Sequence, residues 1–88
     1  MFHMKNTDSF DNRDRLIKLG LNIGLLRKMK GLTQDQLAEK AGISRSFLST
    51  IEAPSLVQSF SIDILYNLSD ALDIDPGDLI NGDIYKDL

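Results

Sequence analysis

The reactive side chains of this sequence are not arranged as a catalytic or metal-binding site. There is no cysteine, and the one histidine, His3, has no second metal ligand at a useful spacing. The aspartates of the second half lack the spacing and the final glutamate of a calcium-binding loop. Neither a glycine-rich phosphate loop nor a nucleophile elbow is found in the sequence. The sequence therefore predicts a protein that is not an enzyme and that uses no metal or cofactor.

The distribution of charge indicates an anionic partner for the first half of the chain. The 88 residues carry a net charge of −3, but residues 1–45 hold nine bases and five acids, a balance of +4. Residues 46–88 hold one base and eight acids, a balance of −7. A chain polarised in this way can present its first half to an anion while its second half repels one.

Apolar periodicity and helix-capping residues predict five helices and no strand. The helices are expected over residues 13–30, 34–41, 45–52, 62–72 and 76–81. Their expected N-caps, where a side-chain oxygen can accept a hydrogen bond from the first turn, are Thr33, Ser44, Ser61 and Asp75. The fourth helix is expected to face the core with Ile62, Leu65, Leu68 and Leu72.

We expect a single domain over residues 13–82, flanked by two short tails. Residues 1–12 are polar and are expected to form a flexible N-terminal tail, and residues 83–88 form a C-terminal tail. No apolar stretch approaches the roughly 18 residues that cross a bilayer, and the polar start does not resemble a secretory signal. We therefore expect a cytoplasmic protein without a membrane partner.

A tight corner joins the second and third predicted helices. Their connection is only Gly42-Ile43-Ser44, which is so short that the two helices must cross steeply, as in a helix-turn-helix. Gly42 can adopt the positive φ needed to leave the second helix. The apolar residues spaced to fill the corner are Leu37, Ile43, Leu48 and Ile51.

The stretch LGLNIGLLRKMKGLTQDQLAEKAGISRSFLSTIE, residues 19–52, resembles the Cro and lambda-repressor family, also called the XRE family. The later segment SIDILYNLSDALDIDPGDLI, residues 61–80, is similar to the fourth and fifth helices of that family. The resemblance implies an all-α, five-helix, lambda-repressor-like domain that binds double-stranded DNA and regulates transcription. Phage repressors, restriction-modification controllers and antitoxins all fit, and the sequence does not choose among them.

The resemblance also implies which residues meet DNA. A helix-turn-helix lays its second helix in the major groove and presents the N-terminal residues of that helix to base edges. The expected base contacts are therefore Ser44, Arg45, Ser46, Ser49 and Thr50. Arg45 is the expected discriminator, because a guanidinium can bond two acceptors of a guanine at once. The expected phosphate contacts are Gln34, Asn22, Lys28, Lys30 and Ser55. The alternative is that Arg45 and the lysines are ordinary solvated surface groups.

Two further expectations come from the same resemblance. Arg27 and Glu52 match family positions that form a structural ion pair between the first and third helices. Family members also pair about a two-fold axis, which predicts a homodimer. The apolar residues expected at its interface are Ile80, Ile84, Tyr85 and Leu88, unless this part of the chain folds back over its own core.

The segment after Glu52 departs from the family pattern. It reads APSLVQSF and contains neither glycine nor a basic residue, although this loop usually approaches the DNA backbone. Uncharged phosphate contacts release fewer counterions, which weakens binding. Two functions therefore remain open: a DNA-binding regulator in the cytoplasm of a bacterium or phage host, and a protein-interaction module with little or no DNA affinity. No small-molecule ligand is evident.

Overall fold

The chain folds into five α-helices arranged around one core. The computed structural model describes the backbone of residues 5–84 and the side chains of residues 12–84. The prediction of an all-α, five-helix fold is confirmed, and no strand occurs among the described residues. None of the described helices combines the length and the apolarity that a membrane crossing requires. The helices are α1 (Lys5–Met29), α2 (Gln34–Ala41), α3 (Arg45–Glu52), α4 (Ile62–Leu72) and α5 (Pro76–Asn81).

The helix ends follow the predicted caps. The Thr33 hydroxyl accepts a hydrogen bond from the Gln36 backbone, and the Gln36 side chain accepts one from the Thr33 backbone. This reciprocal pair satisfies two donors that the first turn of α2 would otherwise leave unpaired. Side chains cap the starts of the later helices as well, namely those of Ser44, Ser61 and Asp75.

The first helix begins at Lys5 rather than near Arg13. Its opening turns therefore fall in the segment that was expected to be a tail. No proline or glycine lies between residues 5 and 19 to stop a helix. Each residue added to an existing helix forms one more backbone hydrogen bond. The apolar pattern that predicted α1 starts only at Leu16, so it placed the start of the helix too late.

The core lies where α1 and α4 meet the three shorter helices. α2 packs on α4 and α3, and α1 packs on α3 and α5. This arrangement holds the two short helices of the corner against a surface formed by the longer ones. The apolar side chains without measurable exposure are Ile23, Leu26, Leu37, Leu48, Leu68, Leu72 and Leu79.

The inner face of α4 differs from the prediction at one position. Ile62 is 59% exposed, whereas Ser69 is fully buried. The Ser69 hydroxyl donates to the Leu65 carbonyl at 2.8 Å, so its burial leaves no unpaired polar atom. Ile62 is the first residue of α4, and the buried face begins only at Leu65.

Ile84 was expected to be an exposed apolar residue available for a dimer contact. This premise is wrong, because Ile84 is buried in the core of its own chain. After α5 the chain turns at Gly82, whose φ is +81°, and the Asp83 N–H bonds the Asp78 carbonyl at 2.9 Å. This turn directs Ile84 inward. Ile80, by contrast, is 51% exposed. Tyr85 and Leu88, the other expected dimer contacts, lie outside the described residues.

Candidate nucleic-acid interface

The corner between α2 and α3 closes as the sequence predicted. Gly42 has a φ of +74°, and its N–H bonds the Glu39 carbonyl at 3.2 Å. The next N–H, that of Ile43, returns to the Ala38 carbonyl at 3.0 Å. These bonds end α2 in a left-handed turn that only glycine adopts easily. The N-terminus of α3 is consequently turned away from the core.

The outer face of α3 carries the expected base-contact residues. Arg45, Ser46 and Ser49 are exposed. The hydroxyl of Ser44 accepts from the Phe47 N–H at 3.0 Å, and the half-buried Thr50 hydroxyl donates to the Ser46 carbonyl at 3.0 Å. These bonds occupy the hydroxyls of Ser44, which is also exposed, and of Thr50 within the helix. Arg45, Ser46 and Ser49 present hydrogen-bonding groups to the surroundings.

Arg45 makes a contact that the sequence pattern did not indicate. Its Nε lies 3.6 Å from Oδ1 of Asp35, the second residue of α2. Both side chains are mostly exposed, at 65% for Arg45 and 76% for Asp35. The contact joins the first turn of α2 to the first residue of α3, so it links the two helices of the corner.

Arg27 and Glu52 form the ion pair that the family resemblance implied. Arg27 Nε donates to Glu52 Oε2 at 2.8 Å, and Nη2 donates to Oε1 at 2.9 Å. The remaining terminal nitrogen, Nη1, donates to the Leu32 carbonyl at 2.7 Å. The two side chains are only 9% and 7% exposed. This bidentate pair joins α1, α3 and the turn that leads into α2.

Gln34 joins the same network from the start of α2. Its Nε2 donates to Glu52 Oε1 at 3.1 Å, and the residue is half-buried. Gln34 is predicted from the sequence as a phosphate contact, and this internal bond is not. A glutamine that opens a helix and a glutamate that ends the next one are far apart in sequence, so only the folded corner reveals their contact.

Asn22 is not placed as a phosphate contact. Its Nδ2 donates to the Leu79 carbonyl at 3.0 Å, and its amide lies against Gly82 at the end of α5. This half-buried amide therefore ties α1 to the end of α5, where the Leu79 carbonyl also accepts from the Gly82 N–H at 3.4 Å. The remaining expected phosphate contacts are exposed or partly so: Lys28, Lys30 and Ser55.

The connection from α3 to α4 is divided between core and surface. Phe60 packs against the core, whereas Leu56 and Val57 are exposed. The loop therefore adds apolar surface, and no positive charge, beside the C-terminal end of α3.

Comparison with known proteins identifies the family of this chain. The family model described as "Helix-turn-helix" matches residues 23–79, which include both helices of the corner, α4 and most of α5. The chain belongs to the XRE-type helix-turn-helix family. The match begins within α1, at residue 23.

The helix-turn-helix chain is similar to transcriptional regulators of known name. It is 41% identical over 63 residues to the HTH-type transcriptional regulator SinR of Bacillus licheniformis, a match covering 72% of this chain and 56% of SinR. The chain thus spans little more than half the length of that relative.

Two solved structures share the helix-turn-helix fold. The restriction-modification controller protein C.AhdI from Aeromonas hydrophila is 36% identical, with a TM-score of 0.67 over 73% of this chain and 94% of C.AhdI. The N-terminal DNA binding domain of SinR from Bacillus subtilis is 39% identical, with a TM-score of 0.66 over 73% of this chain and 91% of that domain.

Proposed function

We propose that this chain binds double-stranded DNA as a transcriptional regulator, with α3 in the major groove. The observation that carries the proposal is the exposed N-terminal part of α3, where Arg45, Ser46 and Ser49 stand outward from a corner closed at Gly42. In a helix-turn-helix this is the surface that reaches base edges. Arg45 is the residue that reads sequence, by bonding two acceptors of one guanine.

Phosphate contacts complete the proposed interface. Gln34 opens α2, where unpaired backbone N–H groups and the helix dipole favour an anion. Lys28 and Lys30 lie shortly before Gln34 in the chain, and the first 45 residues carry a net charge of +4. Ser55 adds a hydroxyl from the loop after α3. Attraction to the DNA backbone is the part of the binding free energy that depends on salt.

The proposed regulator acts as a homodimer. One recognition helix covers only a few base pairs, and two-fold pairing sets two such helices about one DNA turn, roughly 34 Å, apart. The exposed Ile80 lines an open groove of about 560 Å³ with Leu16 and Leu19 of α1. We assign the dimer contact to Ile80 with Tyr85 and Leu88. The similar proteins named above come from bacteria, which fits action in a bacterial or phage-infected cytoplasm.

A salt series with random-sequence duplex DNA tests the proposal. The affinity of the intact protein is measured by fluorescence anisotropy between about 50 and 200 mM salt. A DNA-binding protein gives a log–log plot with a negative slope of several units, because each neutralised phosphate releases counterions. Absence of binding at the lowest salt would overturn the proposal and favour a protein-interaction module that uses the same fold.

A further inference from the structure

We propose that Asp35 is a positioning residue for base recognition. It holds Arg45 through Nε, so that the two terminal nitrogens of the guanidinium face a guanine edge. This inference rests on the proposed DNA-binding function of α3. It adds a second residue, from the other helix of the corner, to the reading of that base.

The geometry of the guanidinium carries the argument. The Arg45–Asp35 contact joins Nε to Oδ1 over 3.6 Å, which is longer than a hydrogen bond. It is an electrostatic contact that limits the orientation of the side chain without locking it. A guanine is recognised by two parallel bonds to its O6 and N7 atoms. Because the contact with the carboxylate is made at Nε, Nη1 and Nη2 remain for those two bonds.

The location of Asp35 indicates that its role lies in binding rather than in stability. Its carboxylate is 76% exposed in the first turn of α2, beside the Gln34 that we assign to phosphate. A negative charge there repels the DNA backbone and lowers affinity for every sequence. An ion pair this exposed stabilises a fold little. Asp35 is therefore unfavourable for general DNA affinity, and it becomes favourable only where an oriented Arg45 meets the right base.

An interaction with the helix dipole is the competing explanation for Asp35. An acid in a first turn interacts favourably with the helix dipole, and loss of that interaction would lower stability. It would not change the preference of the protein for one base over another. Base preference is thus the readout that separates a positioning role from a merely structural one.

The test uses a duplex that the wild-type protein selects from a random pool, and variants of it with single guanines replaced. Discrimination is the ratio of the dissociation constants for the replaced and the selected duplex. For Asp35→Asn we expect discrimination at the guanine read by Arg45 to fall about two- to five-fold, the range of an exposed ion pair. Affinity for random duplex is expected to rise, because a like charge has been removed. In an Arg45→Ala background, Asp35→Asn should leave discrimination unchanged.

Asp70→Asn is the matched control, because it removes one exposed acid from α4, next to the aspartates at the start of α5. It should leave discrimination as in the wild type. If Arg45→Ala relaxes the preference at one guanine while Asp35→Asn leaves it intact, this inference is wrong and the proposed function stands. If the wild-type protein binds no duplex at all, the proposed function fails and this inference fails with it.

Discussion

Gly20 of α1 lies directly against the backbone of Ile51 in α3, and a Cβ on Gly20 would collide with the Ile51 carbonyl oxygen. One turn later, Gly24 faces the Glu52 side chain, whose Oε1 would be 3.1 Å from an added Cβ. These two glycines let the C-terminal end of α3 approach α1 closely. The buried Arg27–Glu52 pair spans the same crossing.

Gly20→Ala is expected to destabilise the protein by about 1–3 kcal/mol, the range for overpacking a tight contact. The same change in an open helix would stabilise it by about 1 kcal/mol, because alanine is the better helix former. Urea unfolding measures the difference. Gly24→Ala is the matched control and should be less damaging, since a side chain can move aside more easily than a backbone carbonyl. A gain in stability for Gly20→Ala would contradict the close crossing.

Removing one partner of the Arg27–Glu52 pair should lower the free energy of unfolding by about 3–5 kcal/mol, because the other charge stays buried and uncompensated. Glu52→Gln and Arg27→Met test the two sides by chemical denaturation. Arg45→Ala breaks the exposed pair with Asp35 and should change stability by less than about 1 kcal/mol. Equal effects on the two pairs would show that burial does not govern their strength.

Arg45→Ala should weaken binding to the selected duplex by about 1–3 kcal/mol and relax the preference at one base position. Arg13→Ala removes the same charge from an exposed position on α1 and should leave base preference intact. Competition titrations with single-base variants give both quantities. A uniform loss on selected and random duplex would assign Arg45 to phosphate instead of a base.

Gln34→Ala is expected to weaken binding to all sequences by a similar factor, because phosphate contacts carry no base information directly. The variant also loses the bond to Glu52, so its thermal unfolding is measured in parallel. Asn67→Ala removes an exposed amide from α4 and serves as the control. A change of base preference without a general loss of affinity would refute the phosphate role.

Ile80 and Ile84 should respond differently to substitution. Ile80→Ser is expected to weaken self-association at least about ten-fold while the monomer stays folded, in line with the apolar area of one isoleucine. Ile84→Ala should instead destabilise the fold by about 2–5 kcal/mol, since it leaves a cavity in the core. Sedimentation equilibrium and urea unfolding separate the two effects. Unaltered association of Ile80→Ser would place the interface elsewhere.

Local chemistry made much of this fold predictable. A capping hydroxyl such as Ser44 and a left-handed glycine such as Gly42 act through neighbouring backbone atoms, so the sequence alone defines where α2 ends and α3 begins. The same reasoning located the exposed face of α3, because the apolar residues of that helix mark the opposite side. Capping is a local rule, and the predicted N-caps are confirmed.

The errors came where a particular contact, rather than a repeating pattern, decides where a side chain lies. Ser69 can be buried because its hydroxyl bonds the Leu65 carbonyl, whereas a rule based on apolar periodicity leaves Ser69 outside and places Ile62 inside. The inward turn of Ile84 depends on a loop, and the bond from Asn22 to the Leu79 carbonyl depends on how α5 docks. Each is decided by a partner that a sequence pattern does not identify. The Asp35–Arg45 contact was missed for the same reason.

The bond between Gln34 and Glu52 also bears on the entropy of the phosphate contact that we propose for Gln34. Ordering a free glutamine side chain costs up to about 2 kcal/mol in lost rotamer freedom. In this protein the Gln34 amide is already held at the start of α2 by a carboxylate that Arg27 fixes in turn. Much of that ordering is therefore completed during folding, before any phosphate arrives. A phosphate contact made by such a preorganised amide retains more of its interaction energy as affinity.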